Sequence, residues 1–319
     1  MRIKEWKKII RRSNMKKIII VTLILLLMTT YLLSFDIESL QTSLVPETAK
    51  WFVHIDVARL AASKMKKIFT DNYDSDIERE ILGIEKTANI DFFKDITAVT
   101  AIGTEDDKGE PVIAFSGNLN KDHLLSLLKK ETYDEFPYGD FFIYNWDGND
   151  YGCFVNDKLL LIGESEKGLK KVLDTYSGKE ANILSTALAS ELKSLSPDVL
   201  LLAVADDILG LIDEDDNDFG SLLLKKTKRA FLTAAEIKDR LNLKLSLEAD
   251  SAETAKNMLE MANGLRAFLA MNEEIDPEWE FIKSLKIGSK GSTVVLESDS
   301  SIEELLSVLL GKKEKKFFY

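Results

Sequence analysis

Apolar positions recur along the chain with two different periods. Runs rich in β-branched and aromatic residues, WFVHIDV (51–57), ITAVTAIG (96–103), PVIAFSGN (111–118), DVLLLAV (198–204) and RAFLTAAEI (229–237), have the length and composition of strands. In LNLKLSLEA (241–249) Leu241, Leu243, Leu245 and Leu247 alternate with Asn242, Lys244, Ser246 and Glu248. That is the pattern of an antiparallel sheet with one face in water. The polar TEDDKGE predicts a hairpin loop between the second and third runs, and Lys238-Asp239-Arg240 one before 241–249. FFIYNW, YGCFV and KLLLIG predict a meander turning at DGND and at Asn156-Asp157, and LKIGSKGSTVVLES reads as strand, turn and strand.

Between these runs the spacing becomes helical. Asp56 is placed to cap a helix with Leu60, Ala61, Met65 and Ile68 on one face. Further helices are predicted over 76–87, 121–131, 165–177 (Leu169, Val172, Leu173 and Tyr176 inward), 180–195 and, briefly, 206–212. Asp250 with Glu253 predicts a capping box for a helix over 251–271. Asp276-Pro277 opens a short helix through Ile282, and Ser300 with Glu303 caps a last one that Gly311 ends. Side by side, the two halves repeat one order of elements at an offset of about 135 residues, so that Val99 answers Thr233 and Leu173 answers Leu309. The expected fold class is α+β: two tandem, duplicated ferredoxin-like units (βαββαβ plus a helix) with antiparallel sheets, over 51–179 and 180–311. A single irregular α+β domain is the alternative.

The N-terminus follows neither period. Residues 1–17 hold eight Lys or Arg against one Glu, and the uncharged run 18–35 follows directly. As a helix that run spans roughly 27 Å, near a hydrocarbon core of about 30 Å. With Asp36 and Glu38 just beyond it, the positive-inside bias keeps Met1 in the cytoplasm and exports the rest. The reading is a basic leader (1–17), a signal-anchor transmembrane helix (18–35) in the inner membrane and a tether (36–50) around Pro46. A signal peptide cleaved near Ser34 is the alternative, giving a secreted or periplasmic protein; Leu32 two positions earlier fits a cleavage site poorly, and Met15 offers a second start.

Charge sharpens that picture. The formal charge is −12; without the leader's +7 the remainder carries −19. Such a surface repels phosphate backbones, which argues against nucleic-acid binding. The single cysteine, Cys153, allows no intrachain disulfide and sits in an apolar run as a small core residue.

Candidate chemistry is sparse. His54 lies in a strand and His123 in the first turn of a helix; both read as structural, and two histidines are too few for a histidine-rich zinc site. Asp213, Asp215 and Asn217 imitate the start of a calcium loop, but Asp218 stands where Gly is needed and Leu224 where Glu is needed. Ser63-x-x-Lys66 and Ser190-x-x-Lys193 match a penicillin-recognising pattern without its S-D-N or K-T-G companions. Gly288 to Thr293 looks like a phosphate loop but lies between strands, and reads as a turn. The tail 312–319 ends on Phe317, Phe318 and Tyr319, which pack or fray. No catalytic, cofactor-binding or metal-binding residue is named, and no cofactor is expected.

AKWFVHIDVARL (49–60), NIDFFKDITAV (89–99) and LSLEADSAETAKNMLEMANGLRAFL (245–269), together with the leader, resemble exported or membrane-anchored bacterial proteins of unknown function with duplicated α+β repeats. That resemblance implies no activity. The expected function is that of a non-catalytic, membrane-tethered extracytoplasmic protein whose partners are the membrane, through 18–35, and an envelope protein or other envelope component. The rivals are an envelope hydrolase working through paired carboxylates and a structural subunit of an envelope complex.

Overall fold

The structure, a computed structural model, describes residues 40–66, 82–83, 85–104, 111–129, 133–146, 148–196, 198–206, 208, 223–271 and 285–302. Among the described residues there are twelve strands, and every pairing with a defined register is antiparallel. The chain divides into two compact units, Met1–Leu201 and Leu202–Tyr319.

In the first unit β1 (Trp51–Asp56) runs into α1 (Val57–Ala62), whose first turn is capped by the Asp56 carboxylate accepting from the Arg59 N–H at 2.9 Å. After α2 (Phe92–Asp95) come β2 (Ile96–Gly103), β3 (Val112–Gly117) and α3 (Lys121–Leu128). The meander β4 (Tyr133–Tyr138), β5 (Phe141–Trp146), β6 (Asp150–Asn156) and β7 (Leu159–Gly163) follows, then α4 (Glu166–Tyr176) and the short α5 (Ala189–Lys193). The strand order is β1-β2-β3-β7-β6-β5-β4. One face of this sheet is apolar: Phe52, Ile102, Val112, Ala114, Leu161 and Cys153 all point into it and are buried. Over it lie α4, through Leu169, Val172 and Leu173, and a single 3-10 turn, Thr42–Leu44. Ser165 caps α4 by accepting from the Gly168 N–H at 3.1 Å. The turn lies in the segment read as a tether; there Leu40, Leu44 and Val45 are buried and Pro46 bridges to Asn182.

The second unit holds most of β8 (Val199–Asp206), then β9 (Thr227–Ile237), β10 (Arg240–Ala249), α6 (Ala252–Met271), β11 (Lys286–Lys290) and β12 (Thr293–Ser301). The order is β8-β9-β10-β12-β11. The leucine alternation of 241–249 holds, with Leu241, Leu243 and Leu247 buried. Met258 and Ala255 of α6 pack on Leu247 and Val294.

Two ferredoxin-like units are therefore a wrong reading. A βαββαβ unit sets its first two strands parallel across a helical crossover, with its third strand inserted between them. Here β1 pairs with β2 in antiparallel register (Trp51↔Gly103 to Asp56↔Ala98), and β3 takes β7 as its other neighbour. Seven and five strands make the protein mostly β, not an α+β repeat. Order of elements can be read from periodicity, but the partner of each strand cannot. Three smaller corrections follow. YDEFPY, unassigned from sequence, is the edge strand β4. The helix expected over 180–195 is a 3-10 turn, Ile183–Ser185, and the five residues of α5. The cap of α6 is Ser251, which accepts from the Thr254 N–H at 3.1 Å, one residue after Asp250, and Ser300 is strand rather than cap.

The transmembrane-anchor reading is also withdrawn. Among the described residues no helix is long and apolar enough to cross a membrane. Residues 1–35, on which it rested, lie outside the described residues, as do most of the helices read at 76–87 and 206–212, that at 277–282 and the body of the last helix.

Candidate functional site

At one end of the first unit's sheet the buried face gives way to a cleft. His54 of β1 is paired in register with Thr100 of β2, and both side chains point to the apolar face. The His54 Nδ1 lies 2.8 Å from the Thr100 hydroxyl, and that hydroxyl donates to the Gln41 side-chain carbonyl at 2.9 Å. A threonine has one proton to give, so Nδ1 of His54 must carry its own and donate. The Gln41 amide N–H donates in turn to the Ser116 hydroxyl of β3. A directed chain of hydrogen bonds thus runs from a buried imidazole to the mouth of the cleft. Burial pulls the His54 pKa from 6.5 down to about 4, so the ring is neutral at pH 7. Gln41 has φ 53, a left-handed conformation that costs a non-glycine residue about 1 kcal/mol, and the two side-chain bonds hold it there.

The cleft has a volume of about 560 Å³. Its other walls come from irregularities in the sheet. A bulge between Ile96 and Ala98 releases Thr97, and a second between Phe154 and Asn156 turns Asn156 outward; both line the cleft. Bulges are a usual means of aiming a side chain at a site. Gly117 forms the floor, where a Cβ would stand 1.9 Å from the Asp95 carbonyl oxygen, so only glycine fits. Its N–H donates to the Lys158 carbonyl at 2.9 Å, and the Asn118 N–H donates to Asp95 at 2.7 Å. In the β6–β7 turn the Lys158 N–H donates to the Asn156 side-chain carbonyl at 2.8 Å, leaving the Asn156 amide nitrogen toward solvent. Tyr176, the last residue of α4, closes the far side and is 37 % exposed, its ring set against Phe141 with centroids 6.3 Å apart.

This arrangement offers hydrogen bonds and an aromatic surface. It offers no activated nucleophile: the partner of Ser116 is an amide, and His54 is committed to Thr100. No carboxylate lines the cleft among the described residues. The residues singled out from sequence lie elsewhere. His123 sits in the first turn of α3 with Nε2 3.2 Å from the Thr87 carbonyl. Ser63 donates to the Leu60 carbonyl at 2.6 Å and accepts from the Lys66 N–H at 3.0 Å, a local turn; Ser190 donates to the Ala187 carbonyl. Cys153 is fully buried, and burial pushes its thiol up to about 12. Gly288 to Thr293 runs from β11 through the turn into β12. Asp213 to Asp218 and the tail 312–319 lie outside the described residues. Among the described residues no group of three or more metal-binding side chains comes together. The cleft residues carried no motif; only the turn signal at Asn156-Asp157 touched one of them.

Crystal form III of TP0453 superposes on 84 % of this chain and 97 % of its own, with a TM-score of 0.51 and 12 % identity. Crystal form IV of the same protein covers 85 % and 96 % at a TM-score of 0.49 and 13 % identity. Form III shares the fold, and at that identity nothing beyond the fold. No protein-family model matches the chain, and no curated protein does.

Proposed function

We propose that the chain is an exported, non-catalytic protein that binds a small polar component of the cell envelope in the first unit's cleft. The observation that carries this reading is the cleft itself: a volume in the range of ligand sites, walled by neutral hydrogen-bonding side chains, two leucines (Leu44 and Leu159), one lysine and one tyrosine. The basic residues 1–17 before the apolar 18–35 support export, and the −19 of the remainder suits a soluble exported domain. The secreted or periplasmic placement is the one retained.

The test is a thermal shift of the purified full-length protein with fractions of a soluble envelope extract. One fraction should raise the melting temperature, and the Ser116→Ala/Lys158→Ala double variant should lose that rise, measured against its own ligand-free melting temperature. A rise of equal size in the double variant overturns the cleft as the site. No rise with any fraction overturns the binding function.

A further inference from the structure

The donors and acceptors around the cleft are not balanced. Because the Ser116 hydroxyl accepts from Gln41, its own proton is left to give, and no acceptor for it lies among the described residues. Asn156 spends its carbonyl on the Lys158 N–H, so its free group is the donating NH2. The exposed Lys158 ammonium makes no ion pair among the described residues, and the nearby Asp157 faces Lys121 at 4.0 Å. Beside Ser43, Thr97 and Asn118, which can both give and accept, the mouth therefore presents these donors and one positive charge, and calls for a ligand rich in acceptor oxygens with one anionic group.

Two further features narrow the class. Tyr176 offers a ring face at the far wall, backed edge-on by Phe141, and an aromatic face opposite a polar wall suits a ring with one apolar C–H side and hydroxyls at its rim. The chain beyond residue 17 carries −19, and that field disfavours ligands with several negative charges, such as polyphosphates. Building on the binding function above, we infer that the cleft takes a sugar bearing a single carboxylate. The carboxylate pairs with Lys158, ring oxygens or an acetamido carbonyl accept from Ser116 and Asn156, and the ring lies on Tyr176. A charge-assisted bond of this kind outweighs a neutral one about twofold in strength, so the acid rather than the ring sets selectivity.

Saturation-transfer NMR with the full-length protein separates the components. The probes are N-acetylmuramic acid and glucuronic acid, their neutral counterparts N-acetylglucosamine and glucose, and inorganic phosphate. The acids should bind about tenfold more tightly than the neutral sugars, and Lys158→Gln should erase that difference while leaving the neutral sugars unchanged. Tyr176→Ala should weaken acids and neutral sugars alike. Equal binding of neutral and acidic sugars, or Lys158→Gln without effect, overturns the carboxylate. Phosphate binding as tightly as the acids reduces the site to an anion contact and overturns the sugar. If no probe binds, the inference falls; the envelope-extract experiment then decides the broader function separately, since another component could still raise the melting temperature through Ser116 and Lys158.

Discussion

His54 joins the core to the cleft, and its chemistry makes stability depend on pH. In the folded protein its pKa is about 4, against 6.5 for the exposed ring. Between those values the unfolded chain binds a proton that the folded chain refuses. The stabilisation is therefore complete above pH 6.5 and is lost as pH falls toward 4, in total about 3 kcal/mol. Protonation would also place a charge among Phe52, Ile102 and their neighbours. In urea unfolding the wild type should lose about 2.5 kcal/mol more than His54→Gln between pH 7 and pH 4.5. Parallel losses in the two proteins would show that His54 is not the group responsible. The sequence made His54 legible as a structural strand residue, since it alternates with Val53 and Ile55. Its link to Gln41 and Ser116 was not legible: the side-chain bonds join residues 59 and 75 positions apart, and nothing local encodes them.

At the level of elements, local chemistry was read well where it had one solution. The β9–β10 hairpin is a case. Ile237 pairs with Arg240, so Lys238 and Asp239 alone make the turn, with φ of 51° and 66°. Two left-handed residues define a type I′ turn, whose twist suits a hairpin and which prefers Asn or Gly. Lys238 fills its place under strain, so Lys238→Asn should stabilise the protein by about 0.5 kcal/mol in thermal or urea unfolding. An unchanged or lowered stability would mean that the lysine compensates its backbone by contacts of its own. Where local signals competed, the reading failed. Over 180–195 the apolar spacing suggested a helix, yet Ser185, Thr186 and Ser190 donate to carbonyls three residues back, holding the chain in short turns. β4 was missed because Asp134, Glu135 and Pro137 leave it no alternation. Those same residues suit an edge strand, where proline and charge discourage further pairing.

Across the molecule, the two units share a pairing rule, though not the one of the duplicated ferredoxin-like units expected from element order. In each, the third strand ends a meander, a helix follows, and the last long strand returns antiparallel to the third: β7 to β3, and β12 to β10. What periodicity could not supply was which strands meet, because pairing is decided by burial across distant segments. Charge, by contrast, was readable at once, and the expectation it supports belongs to this scale. If the basic-then-apolar leader directs export, fractionation of cells making the full-length protein should place it outside the cytoplasm. Recovery in the cytosol would sink the exported function.

Gln41 and the turn Thr42–Leu44 precede the first strand, yet they form a wall of the cleft and cover Leu169, Val172 and Leu173. The natural place to cut by sequence pattern is just before Trp51, where alternation begins. A cut there would spare every strand and remove a wall of the cleft with the partner of His54's relay. The boundary that sequence alternation marks and the boundary of the packed unit are about ten residues apart in the chain, and studies on a trimmed sheet would examine a different protein.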